Sequence, residues 1–331
     1  MLPAHHKKIQ MKLSVIIPYW NPDGNAQTDT LLLRAVRSAK DSNPHEIIVV
    51  NDGSPSDPDL SSFPEVRYIR REHGMLGATR NTGISAATGD VLAFLDADDY
   101  YYPGTLKPCL DAMETSGADL LGFGHSITAN ADSIDSVKTC CGPSFSDPVA
   151  GDEFMRSNNH FGSACQYLIS KELIDRHNLR FKENVFIEDE EFTPRLLFFS
   201  QKFIRTDYPV YAYYVHSGTI ITTQTQEMTD LKTKHMTGAI ESLLSFRNDH
   251  SAEPHSGLDR KIKTLAIDHL RRTLRRPDWR SAVKVQIQEL GRLGLYPIDA
   301  GSLPLKFRLF GLFSRCRLGR FILHLTESLY K

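Results

Sequence analysis

Through the first 125 residues, short apolar runs alternate with longer amphipathic stretches. Leu13 to Pro18 is a nearly unbroken apolar run, and Glu46 to Val50, Val66 to Ile69, Val91 to Leu95 and Asp119 to Phe123 repeat the pattern. Runs this short, bounded by turn residues, predict strands buried on both faces. Between them, Asp29 to Lys40 sets Leu32, Leu33, Val36 and Ala39 on one helical stripe. Gly77 to Ala87 predicts a helix of small residues, and Thr105 to Ser116 another. Alternation of this kind predicts an α/β fold, with a mixed, mostly parallel sheet flanked by helices.

The second half reads differently. Ala129 to Ser163 is rich in Ser, Asp, Asn and Gly and predicts loops. Cys165 to Ser170 and Val210 to Val215 read as strands, Lys171 to His177 as a helix, and Phe186 to Leu197 as a helix with an acidic head. After Gln226 the pattern is helical to the end, with a break at Arg276-Pro277. The divisions that follow are 1–11 as a disordered leader, 12–125 and 126–225 as the two halves of an α/β domain, and 226–331 as a helical extension.

In parallel sheets, ligands gather beyond the carboxyl ends of the strands. Here polar groups follow three such ends: Tyr19 and Asn21, then Asp52, then Asp96 and Asp98. The segment Asp96-Ala97-Asp98-Asp99 delivers three carboxylates into one turn. Such anions repel unless a cation or hydrogen-bond donors offset them. Mg²⁺ or Mn²⁺ with a diphosphate suits the site; an acidic turn capping the next helix is the plainer reading. Asp52 can accept a ring N–H of a nucleobase, or simply prepare the Asn51 to Ser54 turn. Arg80, in the run Gly-Ala-Thr-Arg-Asn-Thr-Gly, can meet a phosphate, brace the metal-site carboxylates, or lie on the surface. In Glu188 to Glu191, four acids suit a helix start. Asp189, between Phe186, Ile187 and an apolar turn, can instead serve as general base on a hydroxyl. His216 can complete a metal shell, touch a phosphate, or be a solvated loop residue.

Composition narrows the class. Of 331 residues, 39 are Lys or Arg and 40 Asp or Glu, a net charge of −1, and 40% are hydrophobic. That excludes a globally basic nucleic-acid binder and a highly charged disordered chain. The balance conceals a split: residues 1–255 carry 23 basic and 34 acidic residues, and residues 256–331 carry 16 and 6. The basic segment mixes Arg and Lys with aromatic and aliphatic residues from Leu305 to Arg317. It suits an amphipathic helix on an anionic membrane surface, or a basic bundle docked on an acidic domain. Five cysteines without a C-x-x-C spacing argue against zinc or a disulfide framework and for reduced thiols. The first ten residues lack the apolar region of a secretory signal, and no run of 18 apolar residues occurs. The expected location is cytoplasmic, with a peripheral membrane contact as an option.

Taken in order, these segments resemble the family 2 glycosyltransferases of GT-A (Rossmann-like) fold, of the bacterial polysaccharide-building kind. The matching pieces are Ser14 to Asn21, Glu46 to Ser54, Ala78 to Gly83, Gly89 to Asp99 and Phe186 to Phe192. The resemblance implies inverting transfer of a sugar from a nucleotide-diphosphate sugar, a UDP-sugar foremost, to a saccharide or lipid-linked saccharide hydroxyl. It implies that Pro18, Tyr19 and Asn21 line the nucleotide pocket with Arg80 and Asp96, and that Asp52 holds the base. Asp98 and His216 would hold Mn²⁺ or Mg²⁺, and Asp189 would be the catalytic base. Trp20 and the stretch Pro22 to Gln27 depart from the usual pattern in the first loop. A nucleotidyltransferase would carry Arg or Lys in a Gly-rich loop after the first strand, where Tyr19 to Gly24 has neither. A nicotinamide enzyme would carry G-x-G-x-x-G there. A degenerate sugar-binding protein would have lost its acids, yet Asp52, Asp96, Asp98 and Asp189 are all present.

Overall fold

A computed structural model of the chain describes residues 11–129, 142–159, 162–216, 225–250, 256–301 and 303–328. Nearly all of the leader and residues 130–141 of the expected loop region, with Cys140 and Cys141, lie outside them. The strands are β1 (Leu13–Tyr19), β2 (Glu46–Asn51), β3 (Arg67–Arg70), β4 (Val91–Phe94), β5 (Tyr100–Tyr101), β6 (Leu120–Thr128), β7 (Tyr167–Ser170) and β8 (Phe203–Tyr214). They form one sheet in the order β3-β2-β1-β4-β7-β6-β8-β5. The strands run in one direction except β7 and β5, which are antiparallel to their neighbours. The α/β fold with a mixed, mostly parallel sheet is therefore present, and so are the C-terminal helices.

The helices are α1 (Ala26–Asp41), α2 (Met75–Ala86), α3 (Leu106–Ser116), α4 (Gly151–Ser157), α5 (Lys171–Arg176) and α6 (Glu188–Phe199). They continue as α7 (Gln226–Asp249), α8 (Gly257–Leu274), α9 (Trp279–Arg292), α10 (Leu305–Ser314) and α11 (Arg317–Ser328). The chain divides into two compact units, each drawn from three stretches. The first takes residues up to 150, 163–184 and 199–219, and so holds the whole sheet. The second takes 151–162, 185–198 and 220–331.

The first unit is built on apolar strands. Every residue of β1 and β4 is buried. Helix α1 begins three residues before the expected start at Asp29, because the Asn25 side chain accepts a hydrogen bond from the Gln27 N–H at 2.9 Å. Helix α2 lies close on the sheet, as its small residues foretell: a Cβ on Gly83 would stand 2.3 Å from Cγ2 of Ile16. Strand β8 starts well before the aromatic run that predicts it, since Phe203 and Ile204 already pair with Leu120 and Leu121.

The second unit is helical. Helix α4, inside the stretch expected to be loop, buries Phe154 and Met155. Its Asp152 carboxylate accepts the first N–H groups of α8, from Gly257 at 3.0 Å and Leu258 at 2.9 Å. The break expected at Arg276-Pro277 separates α8 from α9. No helix among the described residues is long and apolar enough to cross a membrane.

Candidate active site

The first unit gathers the strand-end residues into two groups. One surrounds Asp52, where β2 stops. The turn after it needs Gly53, which adopts φ +79° and whose Cβ would stand 2.9 Å from the His73 nitrogen. The Asp52 N–H donates to the Tyr19 carbonyl at 2.8 Å, and the Asn21 N–H donates to Oγ of Ser54 at 2.9 Å. Pro18, Tyr19, Asn21 and Asp52 thus share one corner, with Pro18 opposite Val50 in the β1–β2 register. The Asn21 amide donates to the Asn25 carbonyl and to Asp29, and the Tyr19 hydroxyl also donates to Asp29. Burial and that carboxylate push the Tyr19 hydroxyl well above the usual phenol range.

Asp52 is buried but not isolated. Its Oδ1 accepts from the Arg71 guanidinium and from the Gly74 N–H at 3.0 Å, and its Oδ2 lies 2.8 Å from Nδ1 of His73. The His73 ring stacks on Trp20, with centroids 4.9 Å apart, and Trp20 is half exposed. Trp20, Arg71 and His73 are thus members of this corner that the strand-end pattern does not supply. The signal lies in the run Arg71-Glu72-His73 directly after β3, which the β2–β3 register brings beside Asp52.

The second group follows β4. Arg80 is buried on α2 and donates from Nη2 to Oδ1 of Asp96 at 2.9 Å, with its guanidinium 5.4 Å from the Phe181 ring centroid. Of the three roles open to it, bracing a strand-end carboxylate is the one this contact displays. Asp99 turns inward: it accepts from the Tyr211 hydroxyl at 2.5 Å and from the Tyr214 N–H at 2.8 Å. Burial, then the charges of Asp98 and Asp96, push its carboxyl up to about 8. Asp98 faces the other way, with Oδ2 3.3 Å from Nε2 of His216. Burial and the Asp96 charge raise its carboxyl, opposed by His216. The Arg34 guanidinium, packed against the rings of Tyr100 and Tyr214, fixes this turn by donating to the Asp98 carbonyl.

Asp189 belongs to the second unit, half-buried in the first turn of α6. Ile187 precedes the acidic run at φ +68°, a conformation costly for a β-branched residue. Two neighbouring acids hold the helix in place. Glu190 lies 3.0 Å from Nζ of Lys261, and Glu191 accepts from Arg195 at 2.6 Å and Ser242 at 2.9 Å.

Carboxylate and imidazole are suitable donors for a divalent cation. Among the described residues, no group of three or more His, Cys, Asp or Glu converges in ligating geometry. Of the expected donors, Asp98 and His216 are the two that the structure brings together, and they could hold such a cation.

The sequence model of the family described as Glycosyl transferase family 2 matches residues 14–175 of this chain. The chain is 26% identical over 195 residues to the glycosyltransferase EpsJ of Bacillus subtilis, an alignment covering 54% of each protein. It is 21% identical over 209 residues to the poly(ribitol-phosphate) beta-N-acetylglucosaminyltransferase TarP of Staphylococcus aureus, covering 60% of this chain and 62% of TarP. The chain thus spans little more than half the length of the curated relatives it matches. Its fold is similar to that of S. aureus TarS 1-349, solved in complex with UDP-GlcNAc. The TM-score is 0.63 at 15% identity, over 96% of this chain and 91% of that one.

Proposed function

We propose that the chain transfers a sugar from a nucleotide-diphosphate sugar, with UDP-sugars foremost, to an acceptor hydroxyl in cell-surface polysaccharide or glycolipid synthesis. The observation that carries this reading is the strand-end turn in which Asp98 meets His216 while Arg80 holds Asp96. Two carboxylates kept close, one of them pushed toward its neutral form, are relieved when positive charge and a diphosphate arrive together. The match to the family model over residues 14–175, the UDP-GlcNAc named with TarS and the acceptor polymer named for TarP support the donor and acceptor classes.

In this mechanism Asp52 orients the base. A carboxylate has about four acceptor positions, and Arg71, Gly74 and His73 occupy three, which leaves one for a ring N–H. The Trp20–His73 stack offers the aromatic face beside it. Asp98 and His216 would hold Mn²⁺ or Mg²⁺. When bound, the cation neutralises charge on the leaving diphosphate. Asp189 takes the proton of the acceptor hydroxyl as its oxygen forms the bond to the anomeric carbon and the bond to the diphosphate breaks. A single displacement of this kind inverts the anomeric centre and needs no protein nucleophile.

Incubation with a panel of nucleotide sugars and Mn²⁺, reading free nucleotide, tests the proposal and identifies the donor. Release from one UDP-sugar is expected. Asp189→Asn is expected to abolish transfer to acceptor while retaining donor affinity; full turnover in that variant would refute the base assignment.

A further inference from the structure

The two last helices each carry two faces. On α10, Phe307, Phe310, Gly311 and Ser314 form a buried stripe. Leu305, Leu309, Leu312 and Phe313 form a second stripe on the opposite side. On α11, Leu318, Phe321, Ile322 and Leu325 follow the i, i+3, i+4, i+7 spacing of one helix face. The eight side chains of these outward stripes are between 39% and 69% exposed. The inward sides are the ones that hold. Gly319 lies against the Phe313 backbone, and Glu327 is buried and accepts from Arg271 of α8 at 2.6 Å and Arg275 at 2.7 Å. Helices α10 and α11 pack on each other and on α8, and Phe321 also meets Trp279 of α9; among the described residues the rest of the outward stripes stays exposed.

The charge around these stripes has one sign. Residues 303–328 contain Lys306, Arg308, Arg315, Arg317 and Arg320 against a single acid, Glu327, which the two α8 arginines withdraw from the surface. On α10, Lys306 and Arg308 flank the exposed stripe on either side, so their stems can lie along apolar surface with the charges outermost. Exposed apolar stripes flanked by cations match lipid acyl chains beneath anionic headgroups. It does not match its own copy: two such faces would bring ten cations together with no exposed acid between them.

We propose that the outward faces of α10 and α11 dock this chain on an anionic lipid bilayer. The apolar side chains enter the headgroup boundary and the flanking Lys and Arg meet lipid phosphates. This stands apart from the glycosyl-transfer reading and survives its failure.

Co-sedimentation of the 331-residue chain with vesicles tests it, using phosphatidylcholine alone or mixed with phosphatidylglycerol. Binding to the anionic vesicles is expected to be at least about tenfold tighter and to weaken with salt. The triple variant L305S/L312S/L318S alters only exposed positions and is expected to keep its helical circular dichroism while losing about tenfold in vesicle affinity. R308E/R317E is expected to lose the preference for the anionic lipid. Absent binding, equal binding to both vesicle types, or binding unchanged in either variant overturns the proposal. A lipid-free dimer that the triple variant returns to monomer assigns these faces to a second copy and overturns it as well.

Discussion

Asp98 and Asp96 stand two residues apart on one turn, yet they are stabilised by different means. Asp96 has the Arg80 guanidinium at 2.9 Å, while Asp98 has an imidazole at 3.3 Å. The Asp98 carboxyl is accordingly the one pushed up, by burial and by Asp96. Removing its charge relieves repulsion in the empty site and removes a ligand in the filled one. Asp98→Ala is therefore expected to weaken Mn²⁺-dependent UDP binding at least about tenfold, with no loss of thermal stability in chelator. Calorimetric titration with and without Mn²⁺ checks the first, and a melt in EDTA the second. Arg80 carries the opposite liability. Arg80→Leu leaves Asp96 without its charge-assisted hydrogen bond and opens the packing against Phe181. A loss of about 2 kcal/mol in denaturant unfolding is expected, with Asp96's partial exposure keeping the cost moderate. Arg80→Lys is not expected to restore it, since one ammonium cannot replace a planar guanidinium stacked on rings.

At the scale of elements, the helical unit hangs on α8. Its N-terminus takes a carboxylate from another helix, through the Gly257 and Leu258 N–H bonds to Asp152. Asp152→Ala is expected to cost about 1–2 kcal/mol in chemical denaturation, the size of a lost cap with its favourable dipole contact. Farther along α8, His269 is buried with Nε2 3.0 Å from the Thr237 hydroxyl of α7, and burial, aided by the Arg272 charge, lowers its pKa to about 4. The unfolded chain then binds more protons than the fold between about pH 6.5 and 4, so stability falls as pH drops through that window. Up to about 3 kcal/mol is at stake once the pH is below the folded value. His269→Gln, neutral throughout, is expected to flatten that fall when midpoints at pH 7 and pH 4.5 are compared.

Elements of this kind were legible to different degrees. Strands β1, β2 and β4 are nearly unbroken apolar runs ending in polar turns, so local pattern suffices to find them and the acids behind them. Strand β5 is two tyrosines whose pairing with Tyr211 and Ala212 is a long-range fact. The same holds for Arg71 and His73, which reach Asp52 only through the β2–β3 register, and for Asp152, whose partner helix begins 105 residues later. Spacing along a chain cannot report contacts that only folding creates.

For the whole molecule, the division into two units separates what can be measured. The sheet unit contains Asp52, Asp96, Asp98 and His216, and the helical unit contains Asp189 and His269. A ligand held by the first stabilises that unit by mass action, about 2.7 kcal/mol at a hundredfold excess over its Kd. For a unit of this size, UDP with Mn²⁺ is expected to raise its unfolding midpoint by about 5–10 °C. The rise is expected to vanish in EDTA and in Asp98→Ala, because both remove the cation's place. It is expected to persist in Asp189→Asn, because that side chain serves the acceptor proton and not the donor. Lowering the pH toward 5 is expected to destabilise the other unit through His269. Scanning calorimetry of the three proteins at two pH values reads all of this from one set of traces. A rise lost in Asp189→Asn would move that residue into donor binding, and a rise kept in Asp98→Ala would take the cation away from the strand-end turn.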